Sequence, residues 1–102
     1  MFIIFHSSRL INSELAYKEW LQENPTGFVV NLSKSSNGMG RKTDANITCI
    51  HKASCKTINR EGFSAFTTNA YFKCCSPSLS EVEKEAKIIT GLTSIRYCSK
   101  CF

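Results

Sequence analysis

Residues 45–55 read ANITCIHKASC. The first seven carry β-branched Ile47, Thr48 and Ile50 in rough alternation, the pattern of a half-buried strand. FVVNL (28–32) supplies a second strand of the same character, and the polar stretch SKSSNGMGRKTD (33–44) between them reads as a loop or hairpin tip. A β-hairpin over 28–51 is therefore the expected centre of the fold. It ends on His51, with three residues between it and Cys55.

Other elements arrange themselves around that hairpin. MFIIF (1–5) reads as a short strand or core-packing arm. Ser13 is the expected N-cap of a helix over about 14–22, whose Tyr17, Trp20 and Leu21 fall on one face. Asn24-Pro25-Thr26-Gly27 stops it. Lys52–Arg60 reads as a tight turn and a short helical piece, and Ala70–Lys73 as a strand. Ser80 and Glu83 stand in capping-box register before a helix over about 81–90, with Val82, Ala86 and Ile89 on one face. Glu83 and Lys87 form an i, i+4 pair, and Gly91 stops the helix. The expectation is an α+β domain over residues 1–102: a hairpin or small antiparallel sheet with two helices.

Such a chain buries a modest core, and an added staple helps it. Its six cysteines are candidates for that staple. The start lacks the long apolar run of a secretory signal, and no run reaches the roughly 20 apolar residues of a membrane span. A cytoplasmic location is expected, where clustered Cys and His are metal ligands or reactive thiols more often than disulfides.

Zinc in a structural site takes four thiolate or imidazole ligands in a tetrahedron. In YCSKC (97–101), Cys98 and Cys101 have the C-x-x-C spacing that turns two sulfurs toward one point. His51 and Cys55, spaced H-x-x-x-C, supply the other half on one tight turn. The expected site is a zinc staple of His51, Cys55, Cys98 and Cys101. Cys75 is the rival fourth ligand, and in that case His51 is free. Cys74 and Cys75 are adjacent in an extended stretch, so they point opposite ways. Cys49 and Cys74 read as small buried hydrophobes.

The net charge is +5. Six basic residues, Arg41, Lys42, Lys52, Lys56, Arg60 and Lys73, face only Asp44 and Glu61 between positions 41 and 73. A basic face around 41–60 favours a polyanion, and nucleic acid is the commonest. On a helix Lys52, Lys56 and Arg60 form one stripe, and Arg41 and Lys42 sit on a loop able to follow phosphates. Phe63, Phe66, Tyr71 and Phe72 are candidates for a base-stacking platform or for the core. His6 reads as an exposed bystander. No hydrolase elbow, paired catalytic carboxylates or P-loop is present, so the protein is not expected to be an enzyme.

CIHKASC followed by YCSKC resembles the small metal-binding modules of the Ada DNA-repair regulator type, over roughly residues 47–101. That resemblance implies zinc cysteines in a DNA-binding domain, and one cysteine, Cys55 or Cys98 here, that accepts a methyl group from the DNA backbone. The chain departs from the pattern by a His at the first ligand position, a longer linker and no following helix-turn-helix. Residues 17–58 are also similar to small uncharacterised bacterial proteins, which brings no activity. Two other functions stay open beside a DNA-binding zinc module. One is a protein-interaction regulator or inhibitor of a defence system; the other is a thiol-based alkyl acceptor or redox protein.

Overall fold

In a computed structural model the described residues are 2–60, 62 and 65–102. The elements run β1 (Ile3–Phe5), α1 (Ser13–Glu23), β2 (Phe28–Ser33), α2 (Lys42–Ile47), β3 (Cys49–Lys52), β4 (Tyr71–Ser76), α3 (Leu79–Thr90) and β5 (Arg96–Tyr97). The strands form a five-stranded sheet in the order β1-β4-β2-β3-β5. The pairs are antiparallel except β3 with β5, which run parallel. The class is α+β, as the sequence predicts.

Strand alternation divides the core into two layers. Val30, Leu32, Ile50, Phe72 and Cys74 face one way and pack with Val82 and Ala86 of α3. Val29, Cys49 and Cys75 face the other way, toward Tyr17, Trp20 and Leu21 of α1. Cys74 and Cys75 thus point to opposite layers, and Cys49 and Cys74 are buried as expected.

Several expectations are corrected. The strand predicted over 45–51 begins only at Cys49, because Lys42–Ile47 is helical. Asp44 decides this. Its side chain is fully buried, accepting bonds from Arg41 Nε at 3.0 Å, Arg41 Nη2 at 3.0 Å and Ser36 Oγ at 3.2 Å. Local pairing of this kind overrides the β preference of Ile47. Ser13 lies inside α1 and not at its cap, which is Asn12; its hydroxyl instead meets Thr67 Oγ1 at 2.8 Å. The α3 cap is Ser78, whose Oγ accepts from Glu81 N at 3.3 Å. The capping register therefore sits two residues earlier than Ser80/Glu83. Glu83 instead pairs with Lys87 at 3.6 Å and accepts from the Tyr97 hydroxyl at 2.9 Å.

Gly91 ends α3 with φ of 76°. A Cβ there would collide with the Gly38 carbonyl, so glycine answers both the backbone and the close approach. No helix among the described residues is long and apolar enough to cross a membrane.

Candidate metal centre

The site grows out of the parallel β3–β5 pair. Ile50 stands opposite Tyr97, and Cys98 N donates to Ile50 O at 2.9 Å. That register lays Cys98 beside His51. The chain then turns, with Phe102 N donating to Cys98 O at 3.1 Å, which swings Cys101 back. On the other side, β3 ends at Lys52, and Cys55 N donates to Lys52 O at 2.9 Å. This tight turn folds Cys55 under His51. Two short turns, one after each strand, therefore converge.

His51, Cys55, Cys98 and Cys101 form a group able to hold a metal ion, with one ligand atom from each lying within 4.8 Å of the others. His51, Cys55 and Cys98 are buried and Cys101 is half-buried. Cys55 and Cys98 sulfurs are 4.0 Å apart. A disulfide requires about 2.05 Å. A tetrahedral ion with metal–sulfur bonds of about 2.3 Å sets its sulfurs roughly 3.8 Å apart, so the observed spacing fits an ion and not a bond.

The surroundings suit ligation. His51 Nδ1 is buried and has no hydrogen-bond partner, the condition in which a buried polar atom is costly unless something coordinates it. Burial, with Lys73 and Arg96 nearby, lowers the His51 pKa to about 4, so the imidazole is neutral and its lone pair available at pH 7. Burial raises the Cys55 thiol, but bonds from the Thr57 side chain and backbone and from Cys101 and Cys98 outweigh it, and its pKa falls. Burial raises Cys101 to about 11. The cluster thus favours a first thiolate on Cys55, and a cation is needed to draw off further protons. The Lys52 amide donates to Cys101 Sγ at 3.4 Å, a bond that steadies a thiolate. Cys75 stands outside this group. It is fully buried between β1 and β2, opposite Ile3 and Val29, where burial holds its thiol well above the ordinary range.

The basic residues do not form one face. Arg41 is committed to Asp44 and to the Ser35 carbonyl at 2.6 Å. With Lys42 it lies beyond the Ser33 end of β2, whereas Lys52 pairs with Phe28 at the other end, about 17 Å away at 3.3–3.4 Å per residue. Residues 52–60 contain turns and no helix, so the predicted stripe is not made. Lys52 and Lys56 instead line one cleft with Lys100, while Arg60 lines a separate cavity. Lys73 is 3% exposed and so cannot belong to an open face.

Of the candidate stacking residues, Phe66 and Phe72 are buried in the core, Tyr71 is exposed, and Phe63 lies outside the described residues. His6 is half-buried against Phe72, ring centroids 4.9 Å apart. Sequence reasoning passed over Tyr97 and Phe102. Both are exposed, and their rings meet edge to face at 4.9 Å. Lys52 Nζ stands 5.3 Å from the Phe102 ring centre. Their place beside the C-x-x-C was the available signal.

Comparison with family models, curated proteins and solved structures gives no match for this chain.

Proposed function

We propose that His51, Cys55, Cys98 and Cys101 hold a structural zinc ion, and that the zinc-bearing end of the molecule binds nucleic acid, with DNA the first candidate. Zinc suits the donor set, because three thiolates and an imidazole are soft-to-borderline ligands and the preferred geometry is tetrahedral. Three thiolates and one divalent ion sum to a single negative charge. Three lysines surround it.

The observation that carries this reading is the cleft of about 460 Å³ lined by Lys52, Lys56 and Lys100 together with Cys55 and Cys101. The lysines are exposed and meet no acid among the described residues. Phosphates bound to them would stand beside Phe102 and Tyr97, whose rings offer a base-stacking surface. The combination favours a single strand, where bases are free to stack. The metal ties the strand ends, a structural role that fits a binding module.

The test is fluorescence anisotropy with single-stranded DNA and RNA oligonucleotides over a salt series. Three phosphate contacts predict a slope of log K on log salt near −2, from about −0.7 per contact. Replacing Lys52, Lys56 and Lys100 together by glutamine should flatten it. Absence of binding at low salt, or an unaltered slope in the variant, rejects the reading.

A protein partner is the second reading, favoured by one observation. Leu10, Ile11 and Leu15 are exposed large apolar side chains in one short segment, with Ile11 fully exposed. Binding that ignores salt and is lost on Ile11→Ser would support it.

A further inference from the structure

Beside the metal ligands, the layer of the sheet that faces α1 is not closed by that helix. Thr57, Ile58, Arg60, Ala65 and Phe66 stand there instead, and with Asn31, His51 and Lys73 they line a cavity of about 210 Å³. Asn31 and Lys73 stand directly opposite each other on β2 and β4 and form its floor. A second cavity of about 270 Å³ shares Asn31, His51 and Thr57, and adds Arg96 and Lys100. No Asp or Glu lines either one among the described residues.

Lys73 is the unusual member. Its ammonium has three donors. Two are taken by neutral acceptors, Asn31 Oδ1 at 2.6 Å and the Phe66 carbonyl at 2.8 Å. No carboxylate among the described residues pairs with it. Glu14 is the acid on this side, but its oxygens are held by Phe66 N, Thr67 N and Thr67 Oγ1. Glu14 acts on Lys73 only through space, and burial outweighs it, lowering the Lys73 pKa to about 8. A buried ammonium with no ion pair of its own is expensive, and an anionic ligand would offset that cost.

We propose that this cavity is a binding site for a small organic anion, its oxyanion group on Lys73 Nζ and its apolar part against Ile58 and Phe66. A carboxylate and a phosphate monoester share the required chemistry. The volume lies below the roughly 300–1,000 Å³ of drug-sized sites, so the ligand is small. Arg60 at the rim and Arg96 in the adjoining cavity draw anions inward. The site does not depend on the nucleic-acid reading: it is the cavity on Lys73, and that reading uses the cleft of Lys52, Lys56 and Lys100.

The experiment is thermal melting of the full chain with benzoate, phenyl phosphate or inorganic phosphate. A saturable rise in Tm is expected, on the order of 10 °C at about 100-fold above Kd. Benzoate against phenyl phosphate separates the carboxylate from the phosphate source. Lys73→Met keeps the length and burial of the side chain without its charge, and should remove the rise. Asn31→Asp gives Lys73 an internal carboxylate partner in place of a neutral amide; it should also remove the rise while melting above the wild type in plain buffer. No saturable rise with any of the three probes overturns the proposal. So does a rise that survives in both variants, which would assign the anion to the metal or to general salt effects.

Discussion

The two faces of the sheet are built on different terms. Against α3 the layer is hydrocarbon: Val30, Leu32, Ile50, Val82 and Ala86 close on one another, and the helix has a serine cap and a glycine stop. Against α1 the layer holds Ser13, Thr67 and Lys73, with the candidate metal ligands His51, Cys55 and Cys98, in buried positions. The first face needs nothing beyond its own side chains. The second leaves buried nitrogen and sulfur atoms whose best partners are ions. Stability and candidate function are thus segregated by strand alternation, one residue to each side.

The sharpest way to break this contrast is to remove the metal. Structural zinc contributes about 10–16 kcal/mol in small domains, more than the 5–15 kcal/mol by which a domain is usually stable. A strong chelator, or Cys98→Ser, should therefore unfold the protein, as seen by circular dichroism, and addition of zinc should restore the wild type only. A chelator that leaves the melting curve in place rejects the metal on that face.

Leu32→Ala tests the opposite face. It should cost about 2–5 kcal/mol through the cavity it leaves, with metal content by elemental analysis unchanged. Coupled loss of the metal in this variant would mean the two layers are not independent.

Acid comes next in size. The folded protein keeps His51 neutral down to about pH 4, while the unfolded chain takes a proton near 6.5. The lowered pKa means that the contribution is complete above 6.5 and is lost as pH falls toward 4, about 3 kcal/mol in all. Proton competition for a metal acts in the same direction. Urea midpoints of the wild type should fall across that range as pH drops. A smaller effect belongs to Ser78→Ala, which removes the α3 cap for about 1 kcal/mol, leaving the pH profile as it was.

The candidate centre was more legible than the sheet around it. His51, Cys55, Cys98 and Cys101 carry their meaning in spacing, and short turns realise spacing locally. Helix α2 was hidden because its signal is not periodic: one buried carboxylate, Asp44, with Arg41 three residues earlier, outweighs the β-branched residues that follow. β5 has two residues and no alternation to detect. Lys73 looked like surface charge because a buried lysine has the same letter as an exposed one. Only the pairing of β4 with β2 shows where it points.

The two-residue parallel pairing of β3 with β5 has a consequence for the chain as a polymer. A link between His51 and Cys98 closes a loop of 47 residues (98 − 51). By the chain-entropy relation for cross-links, such closure removes about 4 kcal/mol of disorder from the unfolded state. A metal makes that link reversible, and Thr57, Ile58, Arg60 and Phe66, which line the cavity on Lys73, lie within the loop. Whatever governs the ion would also govern how firmly that lining is held.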